Sequence, residues 1–195
     1  MSLTKPQQDR RERMLNVASR LAREGGYDAV QMRAVANEAD VALGTLYRYF
    51  PSKEHLLVSA MLRQIESLHE RLAVKPPQGL AAMERLVDVL RRANGALQRQ
   101  QQFTVAVVRA LVSGDEMVAP VVRDVRDLMG GIILSALETP DSSEPSVPTQ
   151  RALLVTEILQ EVWLSSLVAW ISGVEPASSV DRKLEAAVHL LFGEA

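Results

Sequence analysis

The sequence predicts an all-α protein of about nine helices. Apolar residues recur at helical spacing along almost the whole chain, and no segment of useful length alternates as a half-buried strand would. Glycine and proline pairs separate the periodic segments from one another. With 195 residues, the chain is long enough to bury a substantial core without disulfides or metal ions.

The first fifty residues are predicted to form three helices. The first carries an apolar stripe and charged arginines, and it is expected to end at the Gly25-Gly26 pair. Short second and third helices follow at about 32–39 and 42–48. The stripe of the first helix consists of Met14, Val17, Ala18, Leu21 and Ala22.

Helices four to six are predicted from breakers and stripes. Pro51-Ser52 interrupts the chain, and Ser52 is a favourable N-cap for a long fourth helix. The proline-rich stretch 75–79 separates this helix from the fifth. Residues 103–112 are apolar nearly all round, which predicts a buried sixth helix.

The remaining chain predicts three more helices and one long loop. The seventh helix has an apolar face from Met117 to Ala136, and residues 139–150, rich in proline and serine, are expected to form a mobile surface loop. The eighth helix, at about 150–172, is broadly apolar, and the ninth follows Pro176. We therefore expect a small three-helix domain at 1–52 and a larger helical bundle at 53–195.

Composition excludes several classes of protein. The absence of cysteine excludes a disulfide framework and a thiolate metal site, and the three histidines show no metal-ligand spacing. No nucleotide-binding loop or catalytic motif stands out, so we expect neither an enzyme nor a cofactor nor a metal site. The amino terminus is polar and no apolar run reaches the ~18 residues of a membrane span, so we expect a cytoplasmic protein without a membrane partner.

The charge of the chain is unevenly distributed. The whole chain has a net charge of −2, but residues 1–55 carry nine basic and seven acidic side chains, a net of +2. The remainder is therefore acidic. This split indicates that the two sections face different partners.

Residues 31–53 carry the clearest functional signal. Two short helices separated by Asp40-Val41-Ala42 have the spacing of a helix-turn-helix, in which the second helix enters the major groove of DNA. Leu46 and Phe50, four residues apart, are expected to pack inward with Val35 and Ala36. Polar and aromatic side chains are left on the outer face.

Residues 36–56 read A-x-x-A-x-V-A-x-G-T-L-Y-x-Y-F-P-S-K-x-x-L, a run that resembles the DNA-binding domain of TetR-type transcriptional repressors. The resemblance extends without gaps over about 50 residues. It implies a homodimer that presents one helix-turn-helix per subunit to a palindromic operator in double-stranded DNA. It also implies that the carboxy-terminal bundle binds a ligand and forms the dimer.

By position, the resemblance assigns DNA-contacting roles to three sets of residues. Phosphate contacts fall on Thr45, Tyr47, Tyr49 and Lys53. The residues nearest base edges are Gln31, Arg33, Leu43, Gly44 and Arg48. A basic arm corresponds to Arg10 and Arg11.

A narrower resemblance concerns the effector. V-Q-M-R-A-V-A, G-T-L-Y-R-Y-F-P-S-K-x-H-L-L-V-S-A and the later V-W-L-S-S-L-V-A-W resemble the actinobacterial repressors of cholesterol and steroid catabolism. This implies release from DNA by an apolar small molecule, a steroid or acyl-CoA derivative. The alternatives are a constitutive DNA-binding protein without an effector, and a cytoplasmic lipid carrier.

Two residue sets follow for the carboxy-terminal bundle. The apolar positions that could frame a ligand pocket are Met61, Ile65, Met83, Leu86, Phe103, Val107, Met117, Val121, Leu154, Ile158 and Trp163. The last two helices are expected to form an apolar four-helix dimer interface with those of the partner, with candidate contacts at Val180, Leu184, Val188 and Leu191.

Overall fold

The computed structural model of the protein describes residues 4–138 and 148–192, and within these ranges all regular elements are helical. The prediction of an all-α fold with about nine helices is confirmed. The helices are α1 Lys5–Ala29, α2 Met32–Glu38, α3 Leu43–Tyr49, α4 Lys53–Val74, α5 Ala82–Gln98, α6 Gln101–Leu111, α7 Ala119–Leu137, α8 Gln150–Ile171 and α9 Ser178–Phe192. A short 3-10 turn, Glu116–Val118, precedes α7. The predicted loop at 139–150 lies largely outside the described residues.

The helices form two compact units. The first unit contains the chain up to residue 64 together with residues 100–125, and the second contains residues 65–99 and the chain from 126 onwards. Helices α4 and α7 therefore each run from one unit into the other. The predicted division at residue 52 remains a prediction, but the first unit also includes α6, because α6 lies along α1.

In the first unit, α1 bends at its glycine pair rather than ending there. Gly26 has a φ of +68°, a left-handed conformation that favours glycine, and Gly25 is also non-helical. The last turn of α1 resumes after the bend and places Tyr27 and Asp28 beside α4 and α6. The glycine pair thus redirects the chain toward these helices.

The turn between α2 and α3 is a Schellman motif with an aspartate in the left-handed position. The Val41 N–H donates to the Ala36 carbonyl at 3.0 Å and the Asp40 N–H to the Asn37 carbonyl at 3.2 Å. Asp40 has a φ of +54°, a conformation that aspartate tolerates better than most residues. This residue therefore sets the angle at which α3 leaves α2.

Replacing Asp40 with valine is expected to destabilise this turn. A β-branched residue adopts the left-handed conformation poorly, so the free energy of unfolding should fall by roughly 1–2 kcal/mol. Thermal unfolding followed by circular dichroism measures the change. Asp40→Gly serves as the control, because glycine fits the same conformation, and a loss of stability as large as that of Asp40→Val would contradict the role assigned to the backbone.

In the second unit, α9 packs against α5 and α8. Val180, Leu184 and Val188 are at most 1 % exposed within the single chain, and Leu191 is half-buried. The first three side chains are covered by their own chain, and their role as dimer contacts remains a prediction. They belong to the core of the second unit.

Arg85 anchors the end of α7 within the second unit. The side chain is 6 % exposed, and its guanidinium donates to the carbonyls of Ala136 at 3.2 Å and Glu138 at 2.8 Å, and to that of Leu80 at 3.1 Å. The bonds to Ala136 and Glu138 satisfy carbonyls that the carboxy terminus of α7 leaves without internal partners. The buried cation therefore has a structural role.

Helix α8 has an apolar surface that its own chain leaves open. Leu153, Leu154, Ile158 and Val168 are 38–51 % exposed. By length and composition α8 could also cross a membrane, but helices of soluble proteins with a covered apolar face pass the same test. Exposed apolar side chains grouped on one helix are typical of an interaction surface.

Candidate nucleic-acid interface

The inner face of α2 and α3 fixes the orientation of the outer face. Val35, Ala36, Leu46 and Phe50 are at most 2 % exposed, as the sequence predicts. Because Leu46 and Phe50 lie one turn apart, their burial turns the opposite side of α3 toward solvent. The helix-turn-helix is thus held by its own apolar contacts.

The outer face combines exposed polar side chains with aromatic rings. Tyr47 is 46 % exposed and Arg48 is also exposed, whereas Leu43, Thr45 and Tyr49 are half-buried along the same short helix. Tyrosine and threonine hydroxyls donate readily to phosphate oxygens, and arginine donates to phosphates or to guanine edges. The arrangement is suited to contacting a nucleic-acid groove.

The amino-terminal ends of α2 and α3 are open. Gln31 and Arg33 are exposed at the start of α2. Gly44 is exposed in the first turn of α3, and a Cβ added there would meet no atom within 4 Å. Within the part of the chain that the structure describes, no contact requires glycine at this position. The space beside Gly44 is therefore open to the close approach of a nucleic-acid backbone.

Lys53, the first residue of α4, lies on an aromatic ring. Its Nζ is 3.7 Å from the centroid of the Tyr27 ring, and the Cζ of Arg109, from α6, is 4.0 Å from the same centroid. Partial burial and, to a smaller extent, the positive charge of Arg109 lower the pKa of Lys53, while the carboxylates of Asp28 and Glu54 oppose this shift. The ammonium of Lys53 is therefore held in a defined place beside α3 by a cation–π contact.

Tyr27 is fixed from its hydroxyl as well as from its ring. Its O–H donates to a carboxylate oxygen of Glu54. Burial and this hydrogen bond to Glu54 raise the pKa of Tyr27 to about 12. The hydroxyl thus stays protonated at neutral pH and remains a donor to Glu54.

Ser52 caps α4, as the sequence predicts, and also connects it to the turn after α6. The Ser52 Oγ accepts from the His55 N–H at 3.1 Å and donates to Oδ2 of Asp115 at 2.7 Å. The hydrogen bonds from Ser52 and from the Met117 N–H lower the pKa of Asp115. Burial and then the nearby Arg11 lower the pKa of His55, which favours its neutral form.

The two arginines predicted as a basic arm have different surroundings. Both side chains are half-buried on α1. The Cζ of Arg11 is 5.7 Å from the centroid of the Phe50 ring, so this arginine covers the aromatic residue at the end of α3. A role of Arg11 or Arg10 in contacting DNA remains a prediction.

Sequence reasoning missed Tyr27, Arg109 and Asp115. Tyr27 follows the glycine pair, and a tyrosine after a helix break was a visible signal. Arg109 contacts Tyr27 and Asp115 contacts Ser52, each more than 50 residues away in sequence, and no local pattern connects them. Only the packing of α6 along α1 brings them to the start of α4.

The predicted pocket residues fall in both units and differ in burial. Six of them are buried, namely Ile65, Leu86, Phe103, Val107, Val121 and Trp163. Met61 and Met83 are half-buried. Met117, Leu154 and Ile158 are 44–55 % exposed, so in this structure they lie on the surface rather than in a wall of apolar core.

Within the second unit, a shallow crevice lies between α5 and α9. Leu90, Arg91 and Leu184 contribute to its walls, and it measures about 150 Å³ including the open space at its mouth. Sites for small molecules usually measure ~300–1,000 Å³. This crevice is therefore too small for a steroid or an acyl chain.

Two family models match the chain in the regions that form the helix-turn-helix and the later helices. The model for bacterial regulatory proteins of the tetR family matches residues 14–60, and the model for the tetracyclin repressor-like carboxy-terminal domain matches residues 79–191. The second match alone spans more than half of the chain. The chain belongs to the TetR family.

Relatives and solved structures agree with membership of the TetR family. The chain is 43 % identical to the transcriptional repressor KstR of Rhodococcus jostii over 188 residues, which covers 96 % of this chain and 85 % of that protein. It is 39 % identical to KstR of Mycobacterium tuberculosis, covering 96 % and 83 % of the two chains. A TetR regulator from Rhodococcus sp. RHA1 matches with a TM-score of 0.86 and 29 % identity, covering 97 % of this chain and 99 % of that one.

These matches establish a transcriptional repressor of the TetR family that is similar to the KstR repressors. TetR-family regulators carry the helix-turn-helix at the amino terminus, which is where α2 and α3 lie. The relatives are named as repressors rather than enzymes, in agreement with the expectation from sequence. The tetR-family match at 14–60 includes α2 and α3, and DNA contact through the outer face of α3 remains a prediction.

Proposed function

We propose that this TetR-family repressor binds a palindromic operator as a homodimer in the cytoplasm and leaves it when an apolar small molecule, a steroid or acyl-CoA derivative, binds. The observation that supports DNA binding is the outer face of α3, where Tyr47 and Arg48 are exposed opposite a buried inner face. Phosphate contacts from Thr45, Tyr47, Tyr49 and Lys53 position the helix. Base contacts then come from residues at the open starts of α2 and α3.

Similarity supports the class of effector. The chain resembles KstR repressors along nearly its whole length. FadR of Thermus thermophilus was solved in complex with lauroyl-CoA, and it shares the fold with a TM-score of 0.68 at 22 % identity over 93 % of this chain and 92 % of its own. An apolar carboxylic acid carried on coenzyme A is the effector class that these neighbours favour.

The homodimer is proposed to form through the open face of α8. Leu154, Ile158 and Val168 are exposed on this helix and recur at a spacing that places them along one side. A two-fold axis lets the same apolar face cover itself, and two copies of one helix-turn-helix then match the two halves of a palindrome. This face lies on one of the two helices from which the dimer interface is expected.

Ile158→Asp is expected to dissociate the dimer. Each interface would bury two unpaired carboxylates, because the symmetry repeats the substitution, and the dissociation constant should rise at least about a hundredfold. Sedimentation velocity over a concentration series measures it. Leu80→Asp is a matched control, because Leu80 is fully exposed ahead of α5, and an intact dimer for Ile158→Asp would contradict the α8 interface.

The proposed function is tested by recovering the DNA that the protein binds across the genome of its source. We expect a palindromic sequence near genes for the breakdown of apolar carboxylic acids. A coenzyme A thioester of a steroid side-chain acid, added to the complex, should release the recovered duplex at saturation, whereas lauroyl-CoA distinguishes a fatty-acyl effector. If the protein retains the duplex with both thioesters, the proposed release by an acyl-CoA effector is wrong. If no preferred sequence is recovered, the proposed operator binding is wrong.

A further inference from the structure

A cluster of five side chains joins the start of α4 to α6 within the first unit. The Tyr27 ring lies at its centre, with the Lys53 ammonium at 3.7 Å and the Arg109 guanidinium carbon at 4.0 Å from the ring centroid. Tyr27 donates to Glu54, and Arg109 is 3.5 Å from a carboxylate oxygen of Asp28. One aromatic ring thus contacts cations from two different helices.

We propose that Arg109 of α6 is a positioning residue for DNA binding, because it holds the Tyr27 ring on which the Lys53 ammonium lies. The inference rests on the proposed function, in which Lys53 contacts an operator phosphate. A lysine in water loses side-chain freedom when it binds a phosphate. The ring of Tyr27 removes part of that freedom beforehand, so Lys53 approaches the DNA already placed.

Arg109 supports Tyr27 from the side of α6. Its guanidinium attracts the face of the ring, and its bond to Asp28 ties α6 to the residue that follows Tyr27. Arg109 is more than half exposed, and it is spaced along α6 from the buried Phe103 and Val107. Its side chain is therefore not required to fill the core, so its substitution leaves the packing of α6 on α1 in place.

A second contact connects the start of α4 to the segment that contains α6. Oδ2 of Asp115, in the turn after α6, accepts a hydrogen bond from Ser52, which immediately precedes Lys53. Ser52 is thus attached to the turn after α6, and Lys53 is connected to α6 through the Tyr27 ring. Two separate contacts therefore connect the start of α4 to α6 and its following turn.

A double-mutant cycle tests whether Arg109 acts through Lys53. The affinities of the wild type, Arg109→Gln, Lys53→Gln and the double variant are measured by fluorescence anisotropy. The probes are the genomically recovered duplex and a random-sequence duplex of equal length, each over a series of salt concentrations. Arg109→Gln is expected to weaken binding of both duplexes about fivefold, the equivalent of ~1 kcal/mol, because a phosphate contact is not sequence-specific. In the Lys53→Gln background, the same substitution should have no further effect.

Control variants separate positioning from other roles. Arg109→Lys keeps the cation and should restore most of the affinity. Arg126→Gln removes an arginine of similar exposure whose Nη1 is 2.7 Å from Glu161 in the second unit, and it should leave affinity unchanged. Thermal unfolding of Arg109→Gln should match that of the wild type, which shows that the first unit remains folded.

The outcomes that would overturn the proposal differ from those that would overturn the proposed function. Unchanged affinity of Arg109→Gln, or an equal loss with and without Lys53, would show that Arg109 does not act through Lys53. A further fall in the salt dependence of the double variant would instead show that Arg109 contacts phosphate itself, and this also contradicts positioning. Absence of any preferred duplex for the wild type, with no effect of Lys53→Gln, would reject the operator-binding function as well.

Discussion

Leu184→Asp is expected to unfold the second unit rather than to separate two copies of the protein. Leu184 is 1 % exposed in the single chain, on the side of α9 that meets α5 and α8. The substitution removes an apolar side chain from a packed core and places a carboxylate there without a partner. We expect the free energy of unfolding to fall by at least about 4 kcal/mol, a large share of the ~5–15 kcal/mol that stabilises most domains.

Urea unfolding followed by circular dichroism measures this loss. Ala186→Asp is the matched control, because it adds the same charge two residues further along α9 at an exposed position. It should cost well under 1 kcal/mol. A folded, fully helical Leu184→Asp protein that is merely monomeric would contradict the burial of Leu184 and would return the α9 stripe to the dimer interface.

Tyr47→Ala is expected to weaken operator binding by roughly ten- to a hundredfold. The side chain is 46 % exposed on α3, so its removal costs the protein little core packing. In the dimer it removes two hydroxyl donors to phosphate, and a net contribution of ~0.7–1.4 kcal/mol from each, within the usual range for a hydrogen bond, corresponds to this loss. Anisotropy titration with the recovered duplex measures the loss.

Tyr47→Phe separates the hydroxyl from the ring. If the phosphate contact carries the effect, Tyr47→Phe should lose most of the affinity that Tyr47→Ala loses. If the ring packs against the DNA sugar, Tyr47→Phe should bind like the wild type. Wild-type affinity for Tyr47→Ala would remove Tyr47 from the interface altogether.

The helix-turn-helix could be predicted from the sequence because its determinants are local. The i, i+4 spacing of Leu46 and Phe50 defines the inner face, and the structure buries both. The predicted bounds of α2 and α3 agree with the observed helices to within one residue at each end. Ser52 caps α4 through a bond to the N–H three residues later, which a sequence reading can anticipate.

The sequence alone does not say what covers the apolar stripe of α9. Val180, Leu184 and Val188 form a regular apolar face, and such a face requires cover whether the cover is the same chain or a second copy. The pattern is identical in the two cases. In the single chain α9 packs against α5 and α8, and apolar residues of α8 remain exposed.

The Tyr27 cluster illustrates a second limit of local reasoning. Lys53 was predicted as a phosphate contact from its place in the motif, but its support comes from the end of α1 and from α6. The bend at Gly26 and the packing of α6 on α1 bring these residues together. Neither the sequence separation nor the charge pattern indicates that Tyr27, Lys53 and Arg109 lie in contact.

Binding to an operator with altered half-site spacing tests the central claim that two copies of α3 read one palindrome. Two recognition helices fixed in a dimer fit half-sites separated by whole helical turns of DNA. Inserting half a turn between the half-sites of the recovered duplex moves one half-site to the opposite side of the DNA. We predict that affinity then falls to that of a random-sequence duplex, whereas an unchanged affinity would contradict binding by a symmetric dimer through α3.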